Sequence, residues 1–276
     1  MPYVTDARPI MERAFRERFT IVAFNVAGLE MVRGCVDAAE AEKAPVMLQT
    51  SPGELAYGSP EVFCRMVQAI AERSHVPVMM HLDHGDSVQR IAQCIRAGYS
   101  SIMFDGENLK IDENVTATNT VAAFAHGAGV CVEAAAGSFG GGEGNTGDVT
   151  VTDPADAKRL WVEGNADMVA CSVGSRHGES SNLDFGRLEA IYKMGNAPIV
   201  LHGGTGIDAQ DVRQATTLGV VKLNIGSALV RTTADVWRVV LASDCARMDT
   251  NMRVVSAIRE IAREKIQLTN SSKKAL

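Results

Sequence analysis

Short runs of apolar residues recur along the chain at Thr20–Asn25, Pro45–Thr50, Pro77–Leu82, Ser101–Phe104, Val130–Ala135, Met168–Val173, Pro198–Leu201 and Val220–Asn224. Each is nearly continuous in apolar character, as a parallel strand buried on both faces should be. Between them the spacing changes to that of helices. In Glu61–Glu72, Val62, Phe63, Met66, Val67 and Ile70 fall on one stripe, with Glu61, Arg65 and Glu72 off it. Val88–Ala97 ends at Gly98, which suits a helix C-cap, and Asp184–Tyr192 opens on an aspartate able to cap free amides.

Eight such alternations, with no linker or low-complexity break, predict one domain over residues 1–276: a (β/α)8 barrel, the TIM-barrel class of α/β fold, with a C-terminal helical extension. An open doubly wound sheet is the alternative. Its glycine-rich fingerprint should follow the first strand, and Asn25-Val26-Ala27-Gly28 does not fit it.

Composition narrows the partners. The net charge of −6 and the absence of a basic, aromatic-rich run argue against nucleic acid or an anionic membrane. No apolar stretch is long enough to span a bilayer, and the N-terminus lacks a signal-peptide pattern, so a cytoplasmic protein is expected. The six cysteines are scattered without a C-x-x-C pair, which points to reduced thiols rather than a zinc ribbon or disulfide framework.

In a barrel, chemistry collects where the strands end. Polar residues stand at nearly every predicted exit: Asn25, Ser51, His81, Asp83, His84, Asp105, Glu133, His177, His202, Asn224 and Ser227. His84, His177 and His202 come from three different strands, and three imidazoles leave a coordination position open, as a catalytic zinc requires. His81 is read as a packing or supporting neighbour, and His75 and His126, before strands, as non-functional. Asp83 suits metal ligation or proton transfer; the bland alternative is a cap for the helix from Ser87, which Asp86 or Ser87 would serve better. Gly203-Gly204-Thr205-Gly206 and Asn224-Ile225-Gly226-Ser227 follow the seventh and eighth strands, where barrels bind phosphate with backbone amides and a helix N-terminus. Gly137–Gly147 reads as a lid whose Glu143 swings in as a base, or as a surface loop with a solvated glutamate.

Taken in order, Ala23-Phe24-Asn25, Gln49-Thr50-Ser51-Pro52-Gly53, His81-Leu82-Asp83-His84-Gly85, Met103-Phe104-Asp105-Gly106, Val132-Glu133-Ala134, Gly140-Gly141-Gly142-Glu143, His177-Gly178, Leu201-His202-Gly203-Gly204-Thr205-Gly206 and Lys222-Leu223-Asn224 resemble the class II, metal-dependent ketose-bisphosphate aldolases, in particular their shorter tagatose-bisphosphate-like branch. The resemblance implies one zinc per subunit on His84, His177 and His202, with Asp105 and Glu133 as carboxylates around it. It implies Asp83 as the acid–base on the cleaved hydroxyl, Glu143 as the base on carbon, and Asn224 as the group holding the enediolate. Asn25, Ser51, Gly178, Gly203, Thr205, Gly226 and Ser227 fall to substrate, phosphate and a monovalent cation, Na+ or K+. A sugar-phosphate substrate and a homodimer or homotetramer are implied likewise.

The chain departs from that pattern. Ala135 stands where the family has a second glutamate, so a second metal position is in doubt. The loop after His177 is short and lacks tyrosine and lysine, Arg176 replaces a small residue, and Arg247-Met248-Asp249 replaces an Asp-Pro-Arg. The expected reaction is reversible cleavage of a ketose 1-phosphate or bisphosphate to dihydroxyacetone phosphate and an aldehyde. The aldehyde half would be non-standard (sulfonated, carboxylated or unphosphorylated), with Arg176, Arg247 and Arg253 as candidate contacts. The alternative is a catalytically silent metal-binding barrel, a partner subunit or sugar-phosphate binder.

Overall fold

The protein is described here as a computed structural model over residues 2–139, 150–176, 180–242 and 247–275. The elements run α1 (Arg8–Glu17), β1 (Ile21–Asn25), α2 (Leu29–Glu42), β2 (Val46–Thr50), α3 (Pro52–Tyr57), α4 (Pro60–Ala71), β3 (Val78–Gly85), α5 (Val88–Ala97), β4 (Ser101–Phe104), α6 (Ile111–Gly127), β5 (Cys131–Ala136), α7 (Pro154–Val162), β6 (Met168–Cys171), α8 (Phe185–Gly195), β7 (Ile199–Leu201), α9 (Ala209–Thr217), β8 (Val220–Ile225), α10 (Ser227–Leu241) and α11 (Arg247–Leu268). Every strand pairs in parallel with the next, and β8 returns to β1, so the sheet closes. This is the (β/α)8 barrel that the alternating pattern predicts.

Two apolar layers form because a strand sends alternate side chains to opposite faces. Val22, Phe24, Val46, Leu48, Met80 and Leu82 face outward into the layer beneath the helices. Ile21, Ala23, Met47, Met79, Met103, Cys131, Met168 and Val200 fill the barrel interior. Helix α1, which the sequence reading does not anticipate, adds Met11 and Ala14 to that interior cluster. It lies ahead of β1, at the end of the barrel opposite the strand exits, the face associated with stability. Ser87 caps α5 by accepting from Arg90 N–H at 3.3 Å, Gly98 ends it, and Asp184 caps α8. At the far end of the chain α11 packs along α2, where Arg263 pairs with Glu42 at 3.1 Å. The five described cysteines are buried and form no disulfide, and no helix among the described residues is long and apolar enough to cross a membrane.

One strand differs from its expected bounds in a way that matters. β3 continues to Gly85, so Asp83 and His84 belong to the strand rather than following it. Its pairing with β4 shifts register between Leu82 and Gly85, and His84 takes a left-handed backbone, φ 52°. A non-glycine residue held there signals a constraint met by its surroundings. Gly85 makes the bulge possible, because a Cβ at this position would run into the Met103 carbonyl oxygen. Gly85→Ala should therefore destabilise the protein by roughly 1–3 kcal/mol through overpacking. An unchanged melting temperature would show that the bulge absorbs the methyl group.

Candidate active site

The inward parity that buries Ile21, Met47, Met79, Met103, Cys131 and Val200 runs on toward the strand ends. There it meets Asn25, Gln49, His81 and Asp83, Asp105, Glu133 and His202. Above an apolar floor the barrel interior turns polar at one level, on six strands or their exits. Asn224 of β8 joins the same level.

Asp83 is the hub. Its Oδ2 accepts from Asn25 Nδ2 at 2.9 Å and Gln49 Nε2 at 3.1 Å, and its Oδ1 from Asn224 Nδ2 at 3.0 Å. Gln49 also donates to Asn25 Oδ1 at 2.9 Å, so β1, β2, β3 and β8 hold one carboxylate in a fixed orientation. Asp83 caps no helix. Burial works against its charge, yet His84 and His202 outweigh that and hold its carboxyl far below the usual range.

His84 and His202 meet edge to face with ring centres 4.9 Å apart. Each ring has a carboxylate behind it. Asp105 Oδ2 accepts from His84 Nδ1 at 2.6 Å, and Glu133 Oε1 lies 3.1 Å from His202 Nε2. A carboxylate on one ring nitrogen is the usual partner of a histidine that ligates metal through the other. One donor atom each from Asp83, His84 and His202 lies within 4.8 Å of the others, so this donor set fits a transition metal. Asp105 and Glu133 are not in that cluster; they meet His84 at Nδ1 and His202 at Nε2. His84 is pushed up to about 9: burial opposes its charge, but Asp83 and the Asp105 hydrogen bond prevail.

His81 faces inward, fully buried, with Nδ1 2.8 Å from Ser101 Oγ; burial, then the Lys222 charge, lowers it to about 3. Lys222, fully buried, donates to Glu133 Oε2 at 2.9 Å. Burial would raise the Glu133 carboxyl, but the ammonium draws it down to about 2. Away from this network, His126 pairs with Asp167 at 2.9 Å, and His75 is exposed.

The glycine-rich segments after β7 and β8, expected from the sequence to bind an anion, also converge. Gly203 has φ 68°, and a Cβ there would approach the Arg176 carbonyl oxygen to 2.5 Å. Thr205 Oγ1 accepts from Ala228 N–H at 3.3 Å, tying the turn after β7 to the start of α10 at Gly226 and Ser227. A Cβ on Gly226 would come within 3.2 Å of Asn25 Oδ1, so this turn abuts the Asp83 network. Ser51 is engaged as the N-cap of α3, accepting from Gly53 N–H at 3.2 Å while Glu54 accepts from Ser51 N–H at 2.6 Å. Its hydroxyl also donates to the Glu54 carboxylate, so Ser51 is held by α3 rather than offered to the barrel mouth.

The remaining sequence-predicted residues are not brought into the network. His177, Gly178 and Glu143 lie outside the described residues, as does the Arg247 side chain. Arg176 is exposed, and its N–H donates to Ser181 Oγ at 2.9 Å. Arg253 lies in a shallow groove on α11 with Asp249, Met252, Ser256 and Glu260, and no contact joins it to the Asp83 network among the described residues.

Sequence reasoning missed Gln49 and Lys222 as parts of the site. Their signal was present, since each is the polar interruption of an apolar strand. It also missed Phe139, which is buried and stacks on His202 at 4.5 Å and 18°. Nothing in the local pattern marks that phenylalanine.

A closed parallel barrel with a buried imidazole–carboxylate cluster at its strand exits is the frame of a metal-assisted barrel enzyme. Residues 5–274 match the model of the family described as fructose-bisphosphate aldolase class-II, and the chain belongs to that family: it is a class II aldolase, a carbon–carbon lyase. Among similar proteins, a 6-phospho-5-dehydro-2-deoxy-D-gluconate aldolase of Bacillus velezensis is 40% identical over 234 residues, 82% of this chain and 80% of that one. One of the same name from Bacillus subtilis is 36% identical, covering 97% of this chain and 96% of its own. The crystal structure of the YdjI aldolase from Escherichia coli K12 superposes with a TM-score of 0.89 at 31% identity, covering 98% of this chain and 99% of that one. The fructose-bisphosphate aldolase of Campylobacter jejuni shares the fold, with a TM-score of 0.83 at 21% identity over 99% of this chain and 96% of its own. Membership settles the reaction class against a silent binder, and class II aldolases are metal-dependent.

Proposed function

We propose that this aldolase reversibly cleaves a ketose 1-phosphate to dihydroxyacetone phosphate and an aldehyde whose far end is a carboxylate. The carrying observation is the similarity over most of the chain to two aldolases named for 6-phospho-5-dehydro-2-deoxy-D-gluconate. That compound has a phosphate at one end and a carboxylate at the other. Cleaving the bond between the carbon next to its ketone and the following carbinol carbon yields dihydroxyacetone phosphate and 3-oxopropanoate. The departures near Arg176 and Arg247 agree with a far end that is not a second phosphate.

His84 and His202, with His177 as the third ligand, would hold zinc. Bound there, zinc supplies Lewis-acid stabilisation of the charge that develops on the ketone oxygen. Asp83, fixed by Asn25, Gln49 and Asn224, takes the proton from the carbinol hydroxyl in cleavage and returns it in condensation. Asn224 Oδ1 is a buried acceptor with no hydrogen-bond partner among the described residues, which suits it to a substrate hydroxyl. Glu143 carries the proton to and from the carbon left by cleavage. Gly178, Gly203, Thr205, Gly226 and Ser227, with the N-terminus of α10, bind the phosphate, with Ser51 nearby and Na+ or K+ at the same cradle. Arg176 and Arg247 are the cations assigned to the far end; Arg253, in its groove on α11, is not among them.

The test is a comparison of kcat/KM. 6-Phospho-5-dehydro-2-deoxygluconate should exceed fructose or tagatose 1,6-bisphosphate by about a hundredfold or more, since a site built for one polar group discriminates against a wrong one. An equal or greater value for either bisphosphate would overturn the carboxylate assignment. A homodimer or homotetramer is supported by exposed Val230 and Leu241, eleven residues apart and so on one face of α10. Light scattering at micromolar concentration should give two or four times the chain mass; a monomer refutes it.

A further inference from the structure

We propose that Lys222 is a positioning residue for the metal centre, acting on His202 through Glu133; the inference rests on the reading of His202 as a metal ligand. Lys222 and Glu133 are both fully buried, with Nζ 2.9 Å from Oε2. Removing two opposite charges from water costs about as much as their attraction returns, and often more, so a well-packed apolar pair would serve folding as well or better. The interior just below is made of such residues, among them Met47, Met79, Met103, Cys131 and Val200. An ion pair kept at this level calls for a purpose that an apolar pair cannot meet.

The geometry around Glu133 supplies one. Oε1 lies 3.1 Å from His202 Nε2, while Oε2 has two neighbours, Lys222 Nζ at 2.9 Å and His81 Nε2 at 3.5 Å. A carboxylate with only histidines around it could swing toward His81 or into the metal cluster. The Lys222 ammonium takes Oε2 and thereby keeps Oε1 on His202. The Asn224 amide nitrogen also stands 3.3 Å from Nε2, but it donates to Asp83 Oδ1 at 3.0 Å; the nearer anion at Nε2 makes that nitrogen the proton-bearing one and leaves Nδ1 as the ligand atom. His81, anchored at Nδ1 by Ser101 Oγ at 2.8 Å, closes the other side. Lys222 thus sets the tautomer and aim of a ligand it does not touch.

The test uses the full chain loaded with zinc or cobalt. Lys222→Met should lower the melting temperature, because Glu133 is left buried without its cation, and should weaken zinc binding about 10- to 100-fold, as loss of an outer partner of a ligand does. Combining it with Glu133→Gln removes the stranded charge, so the melting temperature should recover. Zinc affinity should stay at least about tenfold weak, and the visible absorption of the cobalt form should stay altered. Should Lys222→Met not fold, Glu133→Gln alone must show the same loss of affinity and altered spectrum. A double variant with wild-type zinc affinity and cobalt spectrum would overturn the proposal, the pair then being structural only. His202→Ala separates the two levels. If it leaves zinc affinity unchanged, the ligand reading itself is wrong; if it abolishes binding while the double variant matches wild type, only the role of Lys222 fails.

Discussion

His202→Ala should lower kcat for aldol cleavage by about a thousandfold or more and leave the purified protein nearly free of zinc. His202 lies in the three-donor cluster with His84 and Asp83, and its ring is fixed by Glu133 at 3.1 Å. A Lewis-acid metal contributes several kcal/mol to stabilising the charge on the ketone oxygen, and each 1.4 kcal/mol or so is tenfold in rate. The substitution removes a ligand and leaves Glu133 Oε1 without its partner. A stability loss of about 1–3 kcal/mol is therefore expected too, and circular dichroism should show the barrel still folded at 25 °C. Treating the wild type with a chelator should give the same loss of activity, reversed by added zinc, whereas the variant should not recover. Full activity in metal-free wild-type protein would sink the metal-dependent mechanism, and a variant as active and as zinc-rich as wild type would remove His202 from it.

Asp83→Asn should lower kcat by about a hundredfold to ten-thousandfold, the range that positioned proton transfer contributes, while zinc remains bound. The side chain keeps its shape and loses its basicity. The amide oxygen can still accept from Asn25 and Gln49, but its NH2 then faces the Asn224 amide, which must turn to present Oδ1. The expected thermal cost is therefore small, about 1–2 kcal/mol. On the proposed mechanism the variant still exchanges the proton on carbon of dihydroxyacetone phosphate, because that task belongs to Glu143. Cleavage lost with exchange retained is the signature. Cleavage within tenfold of wild type would show that another group moves the hydroxyl proton.

Strand order, closure and the level at which chemistry stands were legible in the chain because each rests on a short-range regularity. Apolar runs at even spacing become parallel strands, and a polar residue at the end of each run arrives at the barrel mouth. The sequence offers Asp86 or Ser87 as the cap of α5 and Asp184 as the cap of α8; Ser87 and Asp184 take those places, which local geometry fixes. The apolar run predicts a β3 that ends at Leu82. It continues to Gly85 because inward-facing polar groups find partners across the barrel, and strand periodicity alone does not foresee that.

By itself the sequence determined the barrel and the residue types that gather at its mouth, since both follow from which side chains prefer to leave water and how a strand alternates them. Only the tertiary structure decided which partner each of those groups has. Asp83 became a fixed hub rather than a cap, and Asp105 and Glu133 became ring partners of two histidines rather than members of the donor cluster. Lys222 became the anchor of Glu133 across 89 residues of chain. Those assignments depend on distances between strands remote in sequence, and a hydrogen bond is decided within a few tenths of an ångström. That scale is set when the barrel closes, and no local pattern encodes it.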